Sequence, residues 1–155
     1  MSRNVTAVYR TYSVADLVRA ELEALGLSRG DIHVIPETDL PAGTSGERAD
    51  RRWSDALHEL DLPDEDMRTY QSCVRRGDYV VSANVEEDDV ERVQKIMRRP
   101  EAEAYDLDVR DAEFRDETIH PHSDDSRTAA ALRARRRRDP AYTDPYLRAY
   151  RRDER

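Results

Sequence analysis

An α+β fold is predicted by three observations on this chain of 155 residues. Apolar and polar residues alternate at Asn4–Tyr12, Asp31–Ile35, Tyr79–Val85 and Ala104–Arg110, the period-two pattern of strands. Apolar stripes at helical spacing lie between them. The resulting order is strand, helix, strand, inserted helices, strand, helix, strand. That is the order of a ferredoxin-like sandwich, with two β-α-β units, a four-stranded sheet and helices on one face, here followed by an Arg/Tyr-rich C-terminal extension.

The first strand sets Val5, Ala7 and Tyr9 against Thr6, Val8 and Arg10. Ser13 is then placed as a helix cap with Asp16 as its capping-box acid, and Val14, Leu17, Val18, Leu22 and Leu25 form the stripe that Gly26 ends. Pro36 closes the second strand. The stretch through Gly46, with Pro41, Gly43 and Ser45, reads as a mobile loop. Trp53, Ala56, Leu57 and Leu60 mark one inserted helix. Pro63 at a first position and Asp64, Glu65 and Asp66 in a first turn open another, with Met67, Tyr70 and Val74 inward and Arg75, Arg76 and Gly77 at its end. After the third strand, Asp88 or Asp89 caps a helix that buries Val90, Val93, Ile96 and Met97. Pro100 breaks it, and Tyr105, Leu107 and Val109 mark the fourth strand. Right-handed crossovers make the strands of each unit parallel and bring the units together antiparallel in mid-sheet. The face away from the helices then carries Thr6, Val8, Arg10, Val80, Ser82, Asn84, Ala104, Asp106 and Asp108, mixed and acidic.

Charge divides the chain. Through Ser126 there are 16 basic and 30 acidic residues, whereas from Arg127 onward there are 10 basic and 4 acidic ones. The expected organisation is a domain over 1–112, a polar linker over 113–126 and a basic tail over 127–155. With 39% charged and 37% hydrophobic residues, the core is small. The opening MSRNVTAVYR lacks a signal peptide's apolar stretch, no run of about 18 apolar residues occurs, and Cys73 is the single cysteine. A cytoplasmic protein without a membrane span or disulfide is expected. Lys95 is the one lysine among the basic residues, the rest being arginine.

The run WSDALHELDLPDEDMRTYQSCVRRGDYVVSANVEEDDVERVQKIMRR, Trp53 to Arg99, resembles the general stress protein 17M-like domain, also known as the heat-induced stress protein YflT-like domain. A Trp-Leu helix, a Leu-Pro-acid helix start, a Tyr-bearing helix ending in Arg75-Arg76-Gly77 and an apolar strand follow in the family's order. With the first strand and helix, the resemblance covers roughly Val5 to Val109. It implies a small bacterial stress-associated domain with no established reaction or cofactor, and it supplies no catalytic residue.

Few residues suggest chemistry. His120, His122, Asp124 and Asp125 are of metal-ligating type, but a polar HPHSDD linker presets no geometry. His33 and His58 could act as general bases, yet neither has an identifiable nucleophile. Cys73, near Arg75 and Arg76, reads better as a small buried hydrophobe than as a reactive thiol. Glu86, Glu87, Asp88, Asp89 and Glu91 lack the spacing and glycine of an EF-hand and fit an acidic helix start. No Gly-rich phosphate loop, nucleophile elbow or His-Glu-x-x-His motif occurs. No catalytic, cofactor or metal residue is assigned.

The tail is the candidate partner site. SRTAAALRARRRRD has helix propensity without a core face, and Asp144-Pro145 reads as the start of a second short helix with Tyr146 and Tyr150 aligned. Arg133, Arg135, Arg136, Arg137, Arg138, Tyr142, Tyr146, Arg148, Tyr150, Arg151 and Arg152 are its predicted contact residues, of the types enriched at interface hot spots. An acidic protein assembly or a second copy of the chain is the expected partner. Nucleic acid ranks below it, because the acidic body opposes a long polyanion, and an anionic membrane ranks last, because the tail lacks a broad apolar face. The expected function is that of a non-catalytic stress-associated accessory or adaptor protein. A nucleic-acid-associated stress protein and a small α+β enzyme are the alternatives.

Overall fold

The structure, a computed structural model, describes residues 2–39, 52–100, 104–116 and 136–152. It is an α+β protein with β1 (Ser2–Tyr9), α1 (Tyr12–Leu25), β2 (Ile32–Ile35), α2 (Arg52–His58), α3 (Asp64–Arg75), β3 (Tyr79–Glu86), α4 (Val90–Arg98), α5 (Leu107–Glu113), β4 (Arg136–Arg138) and β5 (Leu147–Arg152). The expected loop residues 40–46 lie outside the described residues. No helix among those described is long and apolar enough to cross a membrane.

One open antiparallel sheet runs in the order β2-β3-β1-β5-β4. β3 pairs antiparallel with both β1 and β2, so β1 and β2 run parallel with β3 between them, as expected for the strands of one β-α-β unit. Asn4 to Ala7 of β1 face Tyr150 to Leu147 of β5, and Arg136 to Arg138 of β4 face Arg152 to Tyr150.

Both sheet faces are covered. Val5, Ala7, Tyr9, Val81, Ala83, Val85, Leu147 and Ala149 pack with Ala15, Val18 and Leu22 of α1 and Val90, Val93, Ile96 and Met97 of α4. On the other face Val8, Val80, Ile35 and Tyr150 pack with Trp53 and Leu57 of α2, Met67, Tyr70, Cys73 and Val74 of α3, Leu107 of α5, and Phe114. The expectation of helices on one face is therefore corrected. Met67, Tyr70 and Val74 are inward as their spacing predicts, and the face they cover is the sheet's second one. Asp66, Thr69, Gln71, Ser72 and Cys73 are buried as well, so α3 is enclosed almost all round.

The largest departure concerns the fourth strand. Only its first residues behave as expected: Ala104 bridges Tyr9, and the Tyr105 amide donates to the Val8 carbonyl at 3.1 Å. Asp106 then caps α5, its Oδ1 accepting from the Val109 amide at 3.1 Å. Leu107 and Phe114, seven apart, become buried on one helical side, while Val109 is exposed. The place beside β1 belongs to β5. Leu147 and Ala149 point into the first core and Arg148 and Tyr150 to the second face, so the first four residues of β5 are buried on both sides of the sheet. The predicted short helix after Pro145 is absent. Asp144 Oδ1 accepts from the Tyr146 and Leu147 amides at 2.8 and 3.1 Å, an Asx-type turn that leads into the strand instead.

Smaller differences concern helix ends. Thr11, not Ser13, caps α1, accepting from the Val14 amide at 3.3 Å, while Asp16 pairs with Arg19. Leu17 of the predicted stripe is exposed. Gly26 ends α1 at φ 117°, a left-handed position where glycine has no Cβ penalty.

Candidate functional site

Arg148 sits at the centre of a polar network beneath the second sheet face. Its side chain is fully buried, and β5 holds it between the first half of α3 and the start of α5. Nη1 donates to Asp66 Oδ1 at 3.3 Å and Asp111 Oδ1 at 3.2 Å, and Nη2 to Asp108 Oδ1 at 3.0 Å and Asp111 Oδ2 at 2.5 Å. Asp66, itself buried, also accepts from Tyr150 Oη at 2.6 Å and from Arg138 Nε at 3.2 Å. Tyr70 Oη lies 2.6 Å from Tyr150 Oη, and Thr69 Oγ1 donates to Asp111 at 2.5 Å. Two guanidiniums thus meet three carboxylates, with Asp108 on the solvent side.

The environment holds these charge states. Burial opposes the charge on Arg148, but the hydrogen bond to Asp111 and the negative Asp66 raise its pKa above the ordinary arginine value. Burial alone would raise the Asp111 carboxyl; the hydrogen bonds from Arg148 and Thr69 hold it below its usual value. Burial first, and then Asp66, push the Tyr70 phenol up, while burial, then Tyr70 and Asp66, push the Tyr150 phenol up, so both stay protonated. A buried ion group of this kind stabilises only when its members are hydrogen-bonded together, and here both Arg148 terminal nitrogens are so engaged while its buried Nε makes no hydrogen bond.

A second chain of polar groups crosses the same face. Asn4 Nδ2 donates to Ser82 Oγ at 2.7 Å and Asn84 Oδ1 at 3.0 Å, and Thr6 Oγ1 donates to Asn4 Oδ1 at 2.6 Å. Arg136 Nη2 reaches the same Asn84 oxygen at 3.0 Å, and the Arg136 amide donates to the Asp61 carbonyl at 2.8 Å. Thr6 and Ser82, placed by the sequence on a mixed, acidic face away from the helices, are therefore buried and paired with each other and with Asn4, and the half-buried Asn84 joins them through Asn4.

The predicted contact residues divide three ways. Arg136, Arg138, Arg148 and Tyr150 point inward, and the Tyr142 hydroxyl donates to Glu87 at 3.1 Å. Arg137 and Arg151 are exposed, and Tyr146 is about one-third exposed. Arg133, Arg135 and the Arg152 side chain lie outside the described residues. The acids and hydroxyls that receive the inward group, Asp66, Asp111, Thr69 and Tyr70, were not singled out as site residues in the sequence. Asp66 reads there as one of three first-turn acids, and only the return of β5 distinguishes it.

The chemical candidates are placed as follows. Cys73 is fully buried, and burial above all, with Asp78, pushes its thiol up, so it keeps its proton. His58 Nε2 lies 3.1 Å from Gln71 Nε2, and His33 stands on β2 opposite Ser82. The structure does not bring Cys73, His33 and His58 together as a base and nucleophile. His120, His122, Asp124 and Asp125 lie outside the described residues, and among those described no group of three or more His, Cys, Asp or Glu could hold a metal ion. The Arg10 and Arg110 guanidiniums lie 4.6 and 4.0 Å from the Tyr105 ring, and that of Arg76 lies 4.5 Å from Phe114, which braces α5 against α3 and the end of β1.

No protein-family model matches the chain, and comparison with curated proteins and with solved structures found no match either.

Proposed function

We propose that this protein is a non-catalytic accessory or adaptor domain that meets a protein partner, or a second copy of itself, through the outward residues of its C-terminal segment. One observation carries the reading: the Arg/Tyr segment is built into the sheet, yet it still presents Arg137, Tyr146 and Arg151 outward. A segment whose inward arginines lock it to Asp66 and Asp111 is a fixed platform, and a preordered surface loses less conformational entropy on association than a loose tail.

The proposal extends to the fold. The order β2-β3-β1-β5, with α1 and α4 on one face, supports a ferredoxin-like arrangement whose last strand is supplied by residues 147–152. On this reading α2, α3 and α5 form an added layer, and β4 an added edge strand. The stress-associated part of the proposal rests on the resemblance of Trp53 to Arg99 alone.

Association is tested with the full chain, tagged and expressed at native level in its own cell. Co-elution with a stoichiometric protein partner or a second copy is expected in low salt. Elution as a lone monomer there would sink the reading. Deleting the tail is not a usable control, because residues 147–152 are part of the sheet.

A further inference from the structure

Leu17, Val109 and Tyr146 are the exposed large hydrophobic side chains among the described residues, and two of them share a corner. The Leu107 amide donates to the Pro145 carbonyl at 2.6 Å, which seats the Pro145-Tyr146 turn against the start of α5, where Val109 lies. Pro145 is exposed as well. Leu17 stands apart on α1, where Arg19 pairs with Asp16 and Glu23. Single apolar side chains on a surface need no explanation, whereas a fixed group of them marks a contact.

Charges of opposite sign border this group on two sides. Register along β1 orders them: Arg148, which holds Asp108, faces Thr6; Leu147 faces Ala7, so Tyr146 lies beside Val8; Arg10 stands two residues further on. Acid, tyrosine and arginine thus follow one another along four residues of β1, about 13 Å. Both charges are held in place, and both keep bonding capacity. The Arg10 guanidinium stacks on Tyr105, which Arg110 covers too, and its N–H groups make no hydrogen bond or ion pair among the described residues. Asp108 gives Oδ1 to Arg148 and keeps Oδ2, and its side chain is 65% exposed.

From this we infer that two copies of the chain associate about a two-fold axis through Tyr146, with Arg10 of each copy against Asp108 of the other and Val109 and Pro145 packed around the axis. An isologous contact requires a surface that is its own complement, and a row that runs from negative through apolar to positive meets that requirement. A row of one sign would repel its copy. Side chains already fixed by Tyr105 and Arg148 lose little rotamer freedom on association. Two copies at −8 each repel at long range, so the contact needs enough salt to screen that repulsion while the close pairs persist. The patch is small, which makes the dimer reversible. The inference rests on the adaptor reading in its second-copy form and narrows it to one surface.

The test is analytical sedimentation of the full chain at about 0.15 M salt, from micromolar to millimolar protein. A reversible dimer is expected, roughly tenfold or more weaker in V109E and several-fold weaker in R10Q and D108N, the last of which leaves an oxygen for Arg148. L17E, at the exposed leucine of α1, should dimerise as wild type does. Y146C treated with diamide should give a disulfide-linked dimer, because two thiols at the axis come within bridging distance and Cys73 is fully buried; L17C should not. A chain that stays monomeric at every concentration overturns the inference. So does wild-type dimerisation by V109E, and so does a dimer that L17E dissolves or that Y146C does not link. If the monomeric chain still co-elutes with another protein at native level, the inference fails and the adaptor reading stands; a chain that is alone in both experiments overturns both.

Discussion

At the scale of single residues, Arg148 decides most. Replacing it with Met keeps the stem packed but leaves Asp66 and Asp111 without their shared cation. The expected cost is about 3 kcal/mol, at the low end for a broken buried ion group because Arg138 and Tyr150 still reach Asp66; urea unfolding of R148M measures it. Asp111 carries a pH dependence. Its carboxyl binds a proton less readily in the fold than in the unfolded chain, so its stabilisation is complete above the unfolded value of about 4 and is lost as pH falls through the lower folded value. Melting temperatures followed from pH 7 downward should fall on an acid limb that D111N flattens, and an unchanged limb would dismiss the role. Of this network only Asp108, on an acidic face that the sequence offers the tail, was legible. An arginine in LRAYRR argues against burial by its type, and it is buried because three aspartates from two helices distant in the chain converge on it.

At the scale of elements, the strands over 2–9 and 79–86 and the helices over 12–25 and 90–98 follow their predicted patterns closely, because each carries an unbroken period of one kind. Residues 104–113 do not. Tyr105, Leu107 and Val109 fit a strand, but Leu107 and Phe114 with the cap at Asp106 fit a helix equally, and local periodicity cannot separate the two. D106A should lower stability by about 1 kcal/mol, the usual worth of an N-cap, whereas a true strand position would leave it nearly unchanged. The competing element, β5, is illegible for the opposite reason. A strand buried on both faces shows no alternation, and Arg148 and Arg151 disguise what remains. L147A should cost about 2–5 kcal/mol, as a fully buried leucine in a sheet does, and a value near zero would remove β5 from the core.

At the scale of the whole molecule, the two layers of helices make the sheet an interior layer, and their cores meet through strands that serve both. β1 is the hub, with β3 on one side and β5 on the other, so hydrogen exchange should be slowest at the amides of residues 4–7. A chain cut after residue 126 lacks both β4 and β5 and is expected to lose cooperative thermal unfolding; retention of it would mean that the sheet is complete without them. The charge division of the sequence acquires a second meaning here. The basic segment and the acidic remainder are parts of one fold, held together by Arg138, Arg148, Asp66 and Asp111.

The pairing of β1 with β5 also bears on how the chain is made. Synthesis runs from β1 toward β5 at about 5–20 residues per second, so on the order of ten seconds separates the emergence of the two strands. Throughout that interval the edge of β1 that carries Val5 and Ala7 lies open, and Asp66 has neither Arg138 nor Arg148 beside it. No nascent stretch ending before residue 147 can close the sheet. Closure of the sheet therefore waits until β5 has been made, and the unfinished chain presents a strand edge that holding chaperones are suited to cover.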